Sequence, residues 1–456
     1  MRVAIIDIGS NTANLAVYDH DGAGLLTPLA ERATPFGLLR QLGSDGTLPS
    51  ATIAATLALL RGFVRKAANL KVERVEVIAT SALRDAPNRE ALIGRAEREF
   101  GVRIRVLDGP EEGRCAAIAA LHSLPVHDGF VVDMGGGSLQ IAEVRERRFV
   151  RAASLPLGAL RLALHYGGPD PLDPARVTAL RREVRSRLAE VPWFTHGDGV
   201  LVGLGGTIRS LARMDRRTRD WPVPHVHGYS LDEDGIESIW ETVSRVPSSG
   251  LRDIPGLPAH RVGLIVPGAL VVCWLLRVGG FSEMRICDDG VREGTLLDAD
   301  PPAVDVVRDH ALRRAFPLDA DAQVARDAVL AVYDALAADR APGWRPAFAL
   351  AATVALSGLD PDSLLETPLA GYWQDDLLAA DALLRPAAPS PLDPALRERA
   401  QVLLTLARTL PVLPVRISVD GIRMHTLLPM QEGVASNFRT LFERDLIYET
   451  VASVTA

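Results

Sequence analysis

Short apolar runs alternate with longer helical patterns over the first three hundred residues of the chain. The apolar runs predict buried strands at 3–7, 15–19, 75–80, 103–107, 129–133, 139–144 and 199–202. Apolar residues recur at the spacing of one helical face from Ile53 to Val64 and predict a helix over 52–70. Further helices are predicted at 89–100 and 111–124. Strands that alternate with helices in this way indicate an α/β fold.

A strand–turn–strand pattern near the start of the chain recurs about 125 residues later. The segment AIIDIGSNTANLAVYD (4–19) resembles FVVDMGGGSLQIAEV (130–144), so that Asp7 corresponds to Asp133. Each copy has an apolar strand, an Asp before a glycine turn, and a second strand. Two such copies predict two similar domains that face each other across a cleft.

The pattern changes after about residue 300, where the chain becomes rich in Ala and Leu and helical in periodicity. We therefore expect three domains. Residues 1–124 and 125–300 are the two α/β domains, and residues 306–456 form a mostly α-helical accessory domain.

Composition excludes several classes of protein. The 456 residues carry 50 basic and 57 acidic side chains, a net charge of -7, so no global positive field is available for nucleic acid. The three cysteines are too few and too widely spaced for a disulfide framework. The apolar N-terminal run reaches Asp7 too early for a signal peptide. The apolar stretch 264–278 contains Pro267 and Arg277 and is too short for a membrane span. We expect a cytoplasmic protein.

Glycine-rich turns follow the two matching strands, and they are made of Gly9, Ser10 and Asn11 in the first copy and of Gly135, Gly136, Gly137 and Ser138 in the second. Where side chains are absent, consecutive backbone N–H groups can point at one anion. A single glycine run is more often a plain tight turn. Two matched copies, each preceded by an Asp, favour two opposed phosphate-binding loops.

Asp7 and Asp133 end the strands that lead into these turns. Magnesium prefers carboxylates, waters and phosphate oxygens as ligands, so both side chains are candidates for holding Mg²⁺. The alternative is that each Asp only stabilises its own turn.

Charged side chains also stand at predicted helix starts. Glu111 and Glu112 follow a Gly-Pro pair, where the helix dipole favours acidic residues without any function; alternatively, one of them accepts a proton from water that attacks phosphorus. Arg84, in ATSALRDAPN (79–88), suits a terminal phosphoryl group because its planar guanidinium donates two hydrogen bonds, or it is a solvated surface residue. The arginine-rich segment 176–188 is either a solvated helix face or part of a basic channel.

These motifs together resemble the exopolyphosphatase/guanosine pentaphosphate phosphohydrolase (Ppx/GppA) family, within the superfamily of actin, sugar kinases and heat-shock ATPases. The motifs are IDIGSNT (6–12), LGSDGTLPSATI (42–53), ATSALRDAPN (79–88), LDGPEEGR (107–114), VVDMGGGS (131–138), SLPLGALRL (154–162), GLGGTIRSLA (203–212) and PGAL…DDGVREG (267–294). They occur in the family's order over about residues 1–300.

The resemblance implies two ribonuclease-H-like domains flanking a cleft, in which water releases a terminal phosphate with the help of Mg²⁺. It places the catalytic glutamate on Glu112, a site-facing arginine on Arg84, and the phosphate-loop aspartate on Asp133. The implied phosphate loops are Gly9–Asn11, Gly135–Ser138, and the turn of Gly205, Gly206 and Thr207. A homodimer is also implied.

The chain departs from the family pattern at two places. The family usually has GGGSTE where this chain has GGGSLQ, so the neutral Gln140 stands at the position of a metal-linked carboxylate. Long family members carry a C-terminal region related to HD phosphohydrolases. Here the corresponding AATVALSGL (351–359) has no His-Asp pair, and His425 is the only histidine after His310. We expect an HD-related domain without metal ligands.

Three functions remain open from the sequence. The first is an exopolyphosphatase that removes the terminal phosphate of inorganic polyphosphate. The second is a guanosine pentaphosphate 5′-phosphohydrolase. The third, motivated by Gln140, is a catalytically weakened regulator that binds polyphosphate or an alarmone. The accessory helical domain favours polyphosphate, because a long polyanion needs a channel that a nucleotide does not.

Overall fold

The computed structural model describes residues 1–21, 25–167, 173–195, 199–297, 301–337, 344–385, 394–409, 416–418, 421–426 and 445–450. The chain forms two compact units. The first consists of Met1–Trp221 and Val226–Ala303, and the second of Pro222–His225 and Val304–Ala456. Both of the expected α/β domains fall within the first unit, and the three-domain division stays a prediction.

The first five strands form one sheet. They are β1 (Arg2–Ile8), β2 (Thr12–His20), β3 (Leu26–Pro35), β4 (Arg74–Ala79) and β5 (Ile104–Val106). The sheet order is β3-β2-β1-β4-β5. The first three strands are antiparallel neighbours, β4 is parallel to β1, and β5 is parallel to β4.

The next six strands form a second sheet. They are β6 (Gly129–Met134), β7 (Leu139–Arg145), β8 (Arg148–Leu155), β9 (Val200–Leu204), β10 (Ser230–Asp232) and β11 (Glu283–Ile286). The order is β10-β11-β9-β6-β7-β8, which repeats the first sheet from β8 to β11 and adds β10 at one edge. The α/β architecture predicted from the sequence is therefore present as two sheets of the same connectivity.

The repeated sequence pattern coincides with a repeated hairpin. Asp7 lies opposite Asn14 across β1 and β2, and Asp133 lies opposite Gln140 across β6 and β7. In each hairpin the first glycine after the aspartate closes the turn with its N–H group. The donor–acceptor distance is 3.1 Å from Gly9 to Thr12 and 3.0 Å from Gly135 to Ser138. The two turns therefore share one backbone geometry.

Helices cover both sheets of the first unit. They are α1 (Ser50–Asn69), α2 (Ser81–Asp85), α3 (Glu90–Phe100), α4 (Gly109–Ser123), α5 (Ala159–Tyr166), α6 (Pro174–Leu188), α7 (Gly206–Thr218), α8 (Glu233–Arg245), α9 (Ser248–Leu251), α10 (Val262–Gly279) and α11 (Val291–Leu297), with short 3₁₀ helices at Leu38–Gln41 and Ala259–Arg261. Helix α4 packs on β6, β7 and β8 and also against α11, which contacts β1. A Cβ on Gly294 of α11 would lie 2.6 Å from the carbonyl carbon of Cys115 in α4, so only glycine permits this approach.

The alternation of side chains along the strands decides where the two repeated aspartates lie. In β1, Ile5 belongs to a small core that includes Leu296 of α11, and Asp7 continues this face of the strand. In β6, Val132 belongs to the main core of the second sheet, so Asp133 lies on the opposite face. That opposite face is the one that α4 covers.

Helix α10 is the most apolar element of the chain. The stretch Ala259–Gly279 is long and apolar enough to cross a membrane by composition alone, but 72% of its most apolar window is buried within the protein. Its side chains, among them Ile265 and Val271, belong to the main core of the second sheet. Burial of this kind is what a core helix shows, and the helix is weak support for a membrane span.

The second unit is mainly helical in its described residues. Its elements are α12 (Val304–Ala315), α13 (Ala320–Ala337), α14 (Arg345–Ser357), α15 (Ser363–Glu366), α16 (Gln374–Leu384), α17 (Pro394–Thr409), β12 (Arg416–Ser418), β13 (Gly421–Thr426) and β14 (Asp445–Thr450). The helices share one core, in which the rings of Tyr333 and Phe348 stack with centroids 4.6 Å apart. The three strands form a sheet in the order β12-β13-β14, which the sequence patterns do not predict.

Candidate functional site

The first two glycine loops lie against each other. A Cβ on Gly136 would be 3.0 Å from the Cβ of Asn11 and 3.2 Å from that of Ser10. The hydroxyl of Ser10 hydrogen-bonds the hydroxyl of Ser81 at 2.8 Å and accepts from the backbone N–H of Ala82 at 3.2 Å. The first loop, the second loop and the start of α2 are thus brought to one place, although they come from distant parts of the sequence.

The third glycine loop reaches the aspartate of the second hairpin. Gly205 has a φ of 95°, which side-chain-bearing residues rarely adopt, and a Cβ there would lie 2.7 Å from Oδ1 of Asp133. Helix α7 begins at Gly206 directly after this turn. The hydroxyl of Thr207 is buried in its first turn and has no partner among the described residues. All three predicted loops therefore border one region.

Backbone donors in the first two loops are unsatisfied. In the part of the chain that the structure describes, the N–H groups of Ser10, Gly136 and Gly137 donate to no backbone carbonyl. Buried or half-buried N–H groups are normally paired, and successive unpaired N–H groups in a glycine turn are typical of anion-binding loops. The loops are therefore suited to the oxygens of a phosphate chain.

Asp7 and Asp133 both hold their protons more tightly than ordinary aspartates. Burial raises the pKa of each to about 6, and the charge of Asp7 contributes to the raised pKa of Asp133. Asn14 donates to one oxygen of Asp7 at 3.3 Å, while the other oxygen, Oδ1, is buried without a partner among the described residues. A cation would satisfy the orphaned oxygen and favour the ionised form of both groups.

Glu112 lies in the first turn of α4, where Asp108 caps the helix by accepting from the N–H of Glu111 at 2.7 Å. Its side chain is only 5% exposed. Burial is the main cause that raises the pKa of Glu112 to about 8, and Arg84 opposes it by donating to Oε2 at 2.8 Å. Glu111 instead faces Arg105 at 3.3 Å and is 34% exposed. The structure thus separates a buried Glu112 from a solvent-facing Glu111.

The charges of Asp7 and Asp133 also raise the pKa of Glu112. The buried glutamate and the two aspartates therefore act on one another electrostatically. Arg84 provides positive charge on this side of the site and also donates to the carbonyl of Leu107 at 2.9 Å. These two hydrogen bonds hold the guanidinium in place between the end of β5 and the start of α4.

Gln140 is fully buried and hydrogen-bonded on one side only. Its Nε2 donates to the hydroxyl of Ser138 at 2.8 Å and to that of Ser154 at 3.0 Å. Its Oε1 has no partner among the described residues. The amide thus ties the end of the second loop to β8, and its suggested place beside a metal stays a prediction.

The structure adds Glu293 of α11 to the residues that the sequence singles out. Its carboxylate accepts from the hydroxyl of Tyr18 and, at 2.7 Å, from the N–H of Gly290. Its charge raises the pKa of both Asp7 and Asp133. The motif DDGVREG contains this glutamate, but a motif alone does not show which of its acidic residues turns inward.

Arginines gather beside the third loop. A Cβ on Gly206 would lie 2.6 Å from the guanidinium carbon of Arg261, so the glycine leaves room for this side chain. Burial, together with the neighbouring charges of Arg209 and Arg213, lowers the pKa of Arg261 to about 10. Arg209 also acts on Asp133, whose pKa it lowers. The site therefore has an acidic side and a basic side, and the basic side was not identified from the sequence.

The carboxylates do not form a ready-made metal centre. Among the described residues, no three His, Cys, Asp or Glu side chains are grouped closely enough to hold an ion by themselves. Magnesium commonly takes one or two carboxylates and completes its shell with waters and substrate phosphates. The oxygen ligands of Asp7 and Asp133 suit such a partly filled site.

Two sheets that share an order of five strands, three glycine loops at one place and a buried glutamate define an α/β protein that handles phosphoryl groups. The sequence model of the Ppx/GppA phosphatase family matches residues 16–301, and the chain belongs to this family. It is therefore an enzyme of the phosphoanhydride hydrolase type. The resemblance drawn from the sequence motifs is confirmed, and residues after 301 lie outside the match.

Relatives and solved structures support the same assignment. Exopolyphosphatase 1 of Mycobacterium tuberculosis is 31% identical over 302 residues, which are 65% of this chain and 88% of the relative. The crystal structure of the Aquifex aeolicus Ppx/GppA family member is 30% identical, covers 65% of this chain and 97% of its own, and has a TM-score of 0.58. An exopolyphosphatase from Cytophaga hutchinsonii, at 20% identity, 65% and 98% coverage and a TM-score of 0.59, shares the fold.

Proposed function

We propose that this protein is an exopolyphosphatase, which hydrolyses the terminal phosphate of inorganic polyphosphate in a cleft between the two sheets of the first unit. The observation that carries the proposal is Glu112, a buried carboxyl with a pKa of about 8 that is influenced by both loop aspartates. A base with a pKa near the working pH is well matched to removing a proton from water. The named exopolyphosphatase among the relatives favours polyphosphate as the substrate.

In the proposed reaction the N–H groups of the glycine loops bind the oxygens of the terminal phosphoryl group. Glu112 accepts one proton from a water molecule as the water oxygen forms a bond to phosphorus. The bond from phosphorus to the bridging oxygen breaks, and the shortened chain leaves with that electron pair. Arg84 lowers the pKa of Glu112 and so favours its ionised form, and their 2.8 Å contact holds the carboxylate in one orientation. The arginines beside Gly206 attract the rest of the polyanion.

Magnesium fits the residues on the acidic side. Asp7, with its orphaned Oδ1, and Asp133 supply hard oxygen ligands of the kind that this ion prefers. When bound, the ion would neutralise charge that develops on the phosphate oxygens. It would also favour the ionised form of both aspartates, since a cation lowers a carboxyl pKa.

Substitution of the buried glutamate tests the proposal. Glu112→Gln preserves the size of the side chain and leaves an oxygen for Arg84, but it removes the proton acceptor. Phosphate release should fall roughly 10²–10⁴-fold, the usual share of a general base, with little change in substrate affinity. Glu111→Gln is the matched control and should retain activity. A folded Glu112→Gln variant with normal turnover would refute the assignment, and a loss confined to Glu111→Gln would move the role by one residue.

Guanosine pentaphosphate is the alternative substrate, and the two are best compared side by side in the presence of Mg²⁺. Faster phosphate release from polyphosphate supports the proposal, whereas a preference for the nucleotide favours the second function. Very slow release from both substrates, with retained binding, favours a weakened regulator. The buried, uncharged Gln140 motivates that third outcome. A homodimer and a cytoplasmic location stay predictions.

A further inference from the structure

A groove lined by arginines and tryptophans lies on the first unit where α6, α8 and α10 meet. It consists of two adjoining cavities of about 490 and 610 Å³. Both are lined by Thr178, Arg181 and Trp274. The residues that line them include none of the loop residues or carboxylates described above, so this groove is a separate feature of the molecule.

The sequence of α6 explains why its arginines face outward. Leu180, Val184 and Leu188 recur every fourth residue and are buried in the core of the second sheet. The remaining positions place Arg181 and Arg185 on the exposed side, one helical turn apart. Exposed arginines are common on amphipathic helices and do not by themselves indicate a binding site. The contacts around these arginines are therefore what distinguishes a site from a solvated surface.

Tryptophans hold these guanidinium groups in place. The guanidinium carbon of Arg185 lies 5.1 Å from the ring centre of Trp274, and that of Arg181 lies 5.8 Å from the ring of Trp240. Stacking of this kind attracts the positive charge to the ring face. It leaves the N–H donors in the plane of the guanidinium free for a phosphate, which they can bind in pairs.

Three arginines of α6 carry the uncompensated charge of the groove, whereas Arg277 and Arg245 in the smaller cavity pair with Glu237 and Glu241. Within the described ranges, no carboxylate pairs with Arg181, Arg182 or Arg185, whereas Arg187 of the same helix pairs with Glu183 at 2.8 Å and Glu190 at 3.0 Å. The larger cavity is lined only by groups that can donate hydrogen bonds, namely Thr178, Arg181, Arg182, Arg185, Ser186 and Trp274. Its lining contains no acceptor charge that would repel an anion.

We propose that this groove is a second binding site for an oligophosphate, a run of anhydride-linked phosphoryl groups that is either inorganic or carried by a nucleoside. Several guanidinium groups without carboxylate partners, two of them stacked on indoles, match a ligand with several adjacent negative charges. The smaller cavity adds the indole of Trp240, on which a nucleobase stacks if the phosphates belong to a nucleotide. Binding at the groove is measured without turnover, so the test of this site is independent of hydrolysis at Glu112.

Calorimetric titration of the full chain tests the proposal with inorganic tripolyphosphate in the cold and without added metal. The variant Arg181→Gln/Arg182→Gln/Arg185→Gln should lose one of the tripolyphosphate binding sites, or bind tripolyphosphate there at least about tenfold more weakly. A loss of affinity of about tenfold corresponds to one charge-assisted hydrogen bond. Arg98→Gln, which removes an exposed arginine from α3, is the control and should bind like the natural protein. Phosphate release at saturating substrate should be unchanged in the triple variant, which separates this site from the hydrolytic one.

A second titration distinguishes the two sources of the phosphates. It uses a nucleoside triphosphate with a nitrogen bridge between its last two phosphates, which resists hydrolysis. If Trp240→Leu weakens the binding of this nucleotide but not that of tripolyphosphate, the groove takes a nucleoside oligophosphate. If both bind as before, the phosphates alone are recognised. Equal binding of both ligands by the triple arginine variant and the natural protein would overturn the proposal.

Discussion

Replacement of Arg84 by Met should shift the pH dependence of phosphate release toward higher pH. Arg84 donates to Glu112 at 2.8 Å and lowers the pKa of a carboxyl that burial raises. Loss of the guanidinium leaves burial unopposed, so the pKa of Glu112 should rise further above about 8. Since a general base acts only when it is deprotonated, the rate rises with pH up to that pKa. The variant should therefore reach its full rate only in more alkaline solution.

The size of the effect follows from the pKa of Glu112. A carboxyl with a pKa of about 8 is ionised in about one molecule in ten at pH 7. An adjacent opposite charge changes a carboxyl pKa by about one to three units. Removal of Arg84 should therefore lower the ionised fraction at pH 7 to about one in a hundred or less. We expect kcat/KM at pH 7 to fall at least about tenfold, with the deficit shrinking as the pH rises.

The assay is phosphate release from polyphosphate measured from pH 6 to pH 10 for the natural protein and its variants. Arg105→Met is the matched control, because it removes the 3.3 Å ion pair of the neighbouring but exposed Glu111 and should leave the profile unchanged. Arg84→Lys keeps a positive charge and should shift the profile less than Arg84→Met. If Arg84→Met lowers the rate by the same factor at every pH, the arginine acts on the phosphate and the reasoning about Glu112 is wrong.

Two further substitutions test the loops and the departure from the family pattern. Gly136→Val should abolish phosphate release while circular dichroism shows an intact fold, because the added Cβ would lie 3.0 Å from the Cβ of Asn11 in the facing loop. Gly62→Val, which points into open space on α1, is the control. Normal hydrolysis by Gly136→Val would mean that the loop is purely structural. Gln140→Glu should lower the Mg²⁺ concentration needed for half-maximal phosphate release, because it adds a charged oxygen on the face of Asp133. An unchanged Mg²⁺ requirement would place residue 140 beyond the reach of the ion.

The sequence was sufficient to predict the repeated hairpins and their turns. The apolar runs are short and fully buried, and an Asp followed by a glycine run permits few conformations. Strand β3 was not predicted, since it lies at the edge of the sheet beside β2 alone and most of its residues are exposed. The small sheet of the second unit was missed because its three strands come from separate short segments, with no periodicity long enough to distinguish them.

The candidate site shows the same division. The glycine turn singled out Asp133 as a candidate, whereas the choice of Glu112 over Glu111 came from the resemblance to the family. Arg261 reaches the third loop from a distant short helix, and only the folded chain shows that it lies against Gly206. For Gln140, one contact follows from the sequence pattern and another does not. Its position opposite Asp133 follows from the hairpin, but its hydrogen bond to Ser154 depends on the pairing of β7 with β8, which a single sequence does not reveal.

The amide side chains opposite the two aspartates of the matching hairpins differ in length by one methylene group. Asn14 and Gln140 occupy the same place in their hairpins, each opposite an aspartate. The shorter amide of Asn14 stays with its own aspartate at 3.3 Å, whereas the longer amide of Gln140 extends to two serines. The two matching hairpins thus use the amide at this position differently. In the first hairpin the amide restrains a carboxylate, and in the second it fixes the loop to the next strand. A change of side-chain length at either position would make the two hairpins more alike and would remove one of these two roles.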